Sequence, residues 1–180
     1  MAQSLFNSVT LSQNLLEVIT QLMRRDEINP AHPVMATMRR YEVVQYEYPI
    51  CEVGKAYIVV RPAGQAAGGM ITTCLRSATV SARIDVIQDT KNSQGFTDFL
   101  GVVGRVSALF SEGGEKYLFE TGSLTATLPE GEVSVSAPFT LGGIGIHSTE
   151  ISGRAEPRKV AGNGCKPWMS SILVTATVHF

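Results

Sequence analysis

A chain of 180 residues is about one domain's worth, long enough to remove roughly 70% of its unfolded surface from water without a metal or disulfide staple. Its 44% hydrophobic and 17% charged residues exclude a disordered tail. Fifteen Lys and Arg against sixteen Asp and Glu leave a formal net charge of −1, which argues against a protein whose main work is coating nucleic acid.

The β-branched residues number 18 Val, 11 Ile and 15 Thr, and with 17 Gly they point to substantial sheet. The first element in chain order is nevertheless a helix, over residues 12–25. Leu15, Val18, Ile19, Leu22 and Met23 recur at helical spacing, Ser12 or Thr10 is available as a cap, and Arg24 and Arg25 suit the last turn. Pro30 and Pro33 end it. Extended structure follows: Val44, Tyr46 and Tyr48 alternate with polar residues, and residues 56–61 form an apolar run. Residues 63–69, AGQAAGG, read as a loop by composition.

The next strand is sharply patterned. Ala78, Val80, Ala82, Ile84 and Val86 fall on one face, and Ser81, Arg83 and Asp85 on the other, the period-two signature of a sheet with one buried face. A second helix is expected from Ser93 or Thr97 to Phe110, with Phe96, Leu100, Val103, Val106 and Phe110 as its apolar stripe and Phe99 beside it. Gly101 and Gly104 weaken it by about 1 kcal/mol each relative to Ala, for which close packing on the sheet is the expected reason. The remaining third reads as β: Leu124, Ala126 and Leu128, then Val133 and Val135, then Ile144 and Ile146, and a last strand carrying Ile172, Val174, Ala176, Val178 and Phe180 on one face. The expected fold is α+β, a largely antiparallel β-sheet with two main helices packed on one face plus an extra β-hairpin region. One domain over residues 1–180 is expected, with 113–164 as a projecting β insertion.

Chemistry leaves few marks. The glycines at 142, 143 and 145 lack GxGxxG spacing and precede no helical pattern, and Pro167 after Lys166 excludes a phosphate loop there. His32, His147 and His179 form neither HExxH nor HxH. No GxSxG elbow is present, and His147 and Ser148, adjacent in a strand, point to opposite faces. The expectation is no enzyme, no cofactor and no metal. Cys51, Cys74 and Cys165 are odd in number, with no CxxC pair. Reduced thiols in a cytosolic fold are expected, and a disulfide between subunits is the alternative. The start lacks the pattern of a secretory signal and no run reaches 18 apolar residues, so no membrane span is expected.

Near-neutrality conceals a segregation of charge. Residues 112–132 hold five Glu and one Lys, net −4, whereas residues 154–166 hold Arg154, Arg158, Lys159 and Lys166 against Glu156, net +3. Opposite segments of this kind can meet across a subunit interface or stand as ordinary solvated loops. Trp168, the only tryptophan, reads as a core anchor at the mouth of the last strand, with an interface anchor as the alternative.

Four features together resemble the tail-terminator or tail-completion (neck) proteins of tailed bacteriophages. They are the amphipathic helix holding Leu15 to Met23, the strand ATVSARIDVI over residues 78–87, the helix from Phe96 to Phe110 after a short polar loop, and a closing strand over residues 171–180. The resemblance implies a structural virion protein of the tail or neck, assembled in the host cytoplasm. It implies a homo-oligomeric ring, a hexamer, that caps the tail tube and joins it to the head connector. DNA would pass through the lumen without sequence-specific binding. A tail tube or connector subunit is the nearest alternative, and a small enzyme with an unmarked site is the other. Contact-making residues are expected at Arg83 and Asp85 on the polar strand face, at Arg154, Arg158 and Lys159 in the basic segment, and at Trp168.

Overall fold

A computed structural model describes residues 12–13, 15–17, 19–20, 23, 40–45, 55–72, 75–90, 92–110, 124–128, 131–135, 140–141, 144–160 and 166–179. Expectations that fall on Thr10, Val18, Leu22, Arg24, Arg25, Pro30, His32, Pro33, Tyr46, Tyr48, the three cysteines, residues 112–123, Glu130, the glycines at 142 and 143 and Phe180 lie outside them. In chain order the strands are β1 (Tyr41–Gln45), β2 (Ala56–Thr72), β3 (Leu75–Gln88), β4 (Leu124–Leu128), β5 (Gly131–Val135), β6 (Thr140–Leu141), β7 (Ile144–Lys159) and β8 (Trp168–His179). Helix α1 (Ser93–Phe110) connects β3 to the second half of the chain, and residues 12–13, 15–17, 19–20 and 23 are helical as well.

Six strands form one sheet in the order β1-β2-β3-β8-β7-β6, while β4 and β5 pair with each other as a hairpin. β1 runs parallel to β2 and the other pairings are antiparallel. The α+β expectation therefore holds, and residues 144–159 stand in the main sheet beside β8. The two most regular sequence patterns, β3 and β8, lie side by side in its centre over an unbroken register from Ser77↔His179 to Gln88↔Trp168. There both neighbours of each strand are ladder partners, so each alternation has a single consistent inside.

That inside faces the helices. Ile58 and Val60 of β2, Ala78, Val80, Ala82, Ile84 and Val86 of β3, and Ile172, Val174 and Ala176 of β8 form one buried cluster with α1 and with Leu15, Leu16, Ile19 and Met23. Burying side chains of this kind contributes about 1.5–3 kcal/mol each, which is why both helical segments share this face.

The stripe of α1 differs from the expected one. Phe99, Val102, Val103, Val106, Leu109 and Phe110 are buried, whereas Leu100 is 41% exposed and Phe96 is half-buried. Positions 99, 102, 103, 106, 109 and 110 follow the i, i+3, i+4, i+7 repeat without a gap, so they bury more apolar surface than a stripe through Leu100. Gly104 is exposed, and a Cβ added there meets nothing within 4 Å, so close packing is not the reason for this glycine. Gly95 is different: a Cβ would lie 2.0 Å from Thr90 Oγ1. Its N–H donates to Asn92 Oδ1 at 2.7 Å, which makes Asn92 the cap of α1.

Residues 63–69 are strand, contrary to their loop-like composition. β2 continues to Thr72 and pairs with β3 throughout, with irregularities at Pro62/Gly64, Ala67/Met70 and Met70/Thr72. Gly64 takes a φ of 155°, where a side chain would be strained, and so absorbs the irregularity after Pro62. The partner strand supplies the ladder that Ala- and Gly-rich sequence does not favour by itself.

Candidate functional site

The second face of the sheet, away from the helices, changes character along its length. At one end Tyr57, Val59, Ile87 and Met169 form a small buried cluster, against which Val44 and Val160 pack. The expectation of a single buried face is thus corrected: this end of the sheet is buried on both sides. At the other end the face is hydroxylic. Thr175 Oγ1 lies 2.9 Å from Ser81 Oγ and 2.9 Å from Ser152 Oγ, a line of hydroxyls across β3, β8 and β7.

Between these ends sits a charged cluster built by three strands. Register places Arg61 opposite Arg83, and Asp85 opposite Ser171. Arg61 Nη2 donates to Asp85 Oδ2 at 2.7 Å, and Arg83 Nε donates to Asp85 Oδ1 at 2.9 Å. Ser171 Oγ also donates to Asp85 Oδ1 and in turn accepts from Arg83 Nη2 at 2.9 Å. The Asp85 side chain is 0% exposed, against 26% for Arg61 and 39% for Arg83. A carboxylate so buried survives only because it is paired and hydrogen-bonded on both oxygens. Asp85 is on the expected face, but it is an internal brace and not a surface contact; the correction comes from Arg61, contributed by another strand.

Beside this cluster, where the bulge at Pro62 turns β2, lies an open cavity of about 550 Å³ lined by Arg61, Pro62, Ala63, Arg83 and Leu173. Arg61 and Arg83 both belong to the charged cluster as well as to this lining. Each carries five N–H donors in a rigid plane, and the Asp85 and Ser171 contacts hold those planes in place.

The structure divides the basic segment. Arg154, Arg158 and Lys159 are all exposed on β7. Register sets Arg154 opposite Ile172 and Lys159 opposite Trp168, on the helix side, whereas Arg158 stands opposite Met169 on the second face. Arg158 and Lys159 part by ordinary alternation, and an irregularity between Ala155 and Arg158 puts Arg154 on the face of Lys159. Trp168 is half-buried against the core, its ring centroid 4.6 Å from that of Phe96 and 5.3 Å from Lys159 Nζ. It therefore anchors the core and presents a cation–π contact to Lys159.

Sequence reasoning missed Arg61. The one available signal was a charged residue directly after the apolar run of residues 56–60, which implies a partner near the strand. Among the described residues no three His, Cys, Asp or Glu side chains cluster closely enough to hold a metal ion, and no helix is long and apolar enough to cross a membrane.

Among the described residues, two stretches along the sheet's flanks carry no further strand. β1 pairs only with residues 56–60 of β2, and among the described residues no strand lies along the outer side of residues 62–72. At the opposite end β6 pairs only with residues 144–145 of β7, and among the described residues the outer side of 146–159 carries none. The two edges differ: residues 62–72 contain no charged residue, whereas 146–159 contain Glu150, Arg154, Glu156, Arg158 and Lys159.

No family model matches this chain, and no curated protein does. A solved structure entitled "Virion of native gene transfer agent (GTA) particle" contains a chain with a similar arrangement. The TM-score is 0.46 at 11% identity, over 89% of this chain and 94% of that one.

Proposed function

We propose that the protein is a structural component of a phage-like virion, and that copies of it associate head to tail into a ring at the end of a tail tube. The observation that carries this reading is a pair of unlike sheet edges that are open among the described residues. An exposed edge presents a row of N–H and C=O groups ready to pair with another strand, and proteins that stay monomeric guard such edges with charge, bulges or proline. Residues 62–72 carry two of these guards, irregular pairing and Pro62, and lack only charge, whereas 146–159 carry irregular pairing, Pro157 and charge together. Because the two edges are not equivalent, their contact is heterologous, and heterologous contacts close into rings when the rotation permits. The order of elements supports the same reading through its resemblance to tail-terminator proteins, as does the segregated charge on a nearly neutral chain.

In this role the protein performs recognition and no bond chemistry. It would cap the tube, stop its growth and offer its other surface to the head connector. Native mass spectrometry and electron microscopy of the purified protein, alone and with tube ends, test the proposal. A six-fold ring is expected in at least the second condition, and Ala63→Lys/Ala66→Lys, which charges the open edge, should abolish it while leaving the fold intact. A protein that remains monomeric in both conditions overturns the reading. Addition to growing tubes separates a terminator, which stops elongation, from a tube subunit, which is incorporated.

A further inference from the structure

We infer that β1 of one copy adds to the β7 edge of the next as an antiparallel strand, in the register that sets Glu42 beside Arg158. This rests on the head-to-tail reading above and specifies its seam. Strand direction follows from the topology. β7 is antiparallel to β8, β8 to β3 and β3 to β2, while β1 is parallel to β2, so β1 and β7 run in opposite directions at the two flanks of the sheet. A second copy that continues the sheet without being turned over brings its β1 antiparallel to β7, the slightly more stable pairing. The flanks are also stepped in a complementary way. β1 stands out beyond residues 56–60 at one end of the sheet, and β6 beyond residues 144–145 at the opposite end. Among the described residues, β7 is recessed at the end where a neighbour's β1 would lie, and residues 62–72 are recessed at the end where β6 would lie.

Charge selects the register. Along one row of ladder partners Glu42 is level with Tyr57, Ile87, Met169 and Arg158. Val44 packs against the cluster of Tyr57 and Met169 on the second face, so Glu42, two residues away, is on that face too, as is Arg158. Both charged residues are exposed. Continuing the row into the next copy sets Arg158 beside Glu42, and the adjoining row on that face sets Ala155 beside Val44. A slide of one residue would exchange the faces of the strand. A slide of two would bring either Arg40, which is also exposed, or Val44 opposite Arg158. Of these registers only the unshifted one pairs opposite charges across the seam, whereas like charges directly opposite are destabilising.

Charge reversal tests the seam in the condition, with or without tube ends, in which the wild type forms rings. Glu42→Arg and Arg158→Glu each set like charges against one another at every seam. Each should remain folded by circular dichroism and weaken ring formation by at least about tenfold in analytical ultracentrifugation. The double variant Glu42→Arg/Arg158→Glu restores opposite charges and should recover rings. An equimolar mixture of the two single variants should recover them as well, because chains alternating around a six-membered ring present opposite charges at every seam. Wild-type rings with either single variant assembling normally, or without recovery in the double variant or in the mixture, would overturn this seam and leave the ring reading standing. A wild-type chain that never assembles removes both.

Discussion

Replacing Asp85 by asparagine is the most informative single perturbation of the fold. The variant keeps the size of the side chain but removes a fully buried charge held between Arg61 and Arg83. The asparagine oxygen can still accept from one guanidinium group, while its amide N–H groups turn toward the other and oppose donor to donor. One charge-assisted hydrogen bond is lost outright, and those to Arg83 and Ser171 lose their ionic component. Such bonds contribute about 1.5–3 kcal/mol each. Arg83 is more than a third exposed, so water recovers part of its share. The expected loss is about 3–5 kcal/mol, the range for breaking a buried pair by removing one partner. That is a large part of the 5–15 kcal/mol that domains typically possess. Urea unfolding should show a lowered midpoint with an unchanged slope. In a double-mutant cycle, Arg61→Gln should cost at least about 1 kcal/mol less in the Asp85→Asn background than in the wild type. A stability change within about 0.5 kcal/mol, the range of ordinary surface substitutions, would refute the brace.

The face of α1 can be tested by two adjacent residues: Phe99→Ala should cost about 3–5 kcal/mol, and Leu100→Lys should stay within about 0.5 kcal/mol by thermal unfolding. Gly104→Ala should stabilise the protein by about 0.5–1 kcal/mol, since the added methyl meets open space and favours the helix. Gly95→Ala should destabilise it, because Thr90 occupies that position. The Tyr41 hydroxyl, which donates to Gln88, is held neutral by burial and then by the charge of Asp98, so its pKa is raised. The folded state therefore keeps a proton that the unfolded chain releases above pH 10, and stability should fall as pH rises past the ordinary tyrosine value of 10.0. Tyr41→Phe should flatten that decline in pH-dependent urea titrations, and an unaltered slope would contradict the burial of this phenol.

Much of the fold was legible because its signals are local. The alternation of β3 and β8 and the apolar repeats of the two helical segments involve residues two to four apart, so the sequence by itself determined their type and most of their extent. Near-neutral composition with an acidic and a basic stretch was equally plain. The tertiary structure alone decided the rest. Residues 63–69 became strand because β3 offers them a ladder, and α1 turned Leu100 outward because the neighbouring repeat buries more. Arg154 was separated from Arg158, and brought to the face of Lys159, by one irregularity in β7, since a shift of one residue exchanges the faces of a strand. The charged cluster depends on Arg61 and Asp85, 24 residues apart, and on Ser171, 86 residues from Asp85. Periodicity assigns a residue to a face; only the register between distant strands determines what it meets there, and so whether a charge is a surface contact or a buried brace.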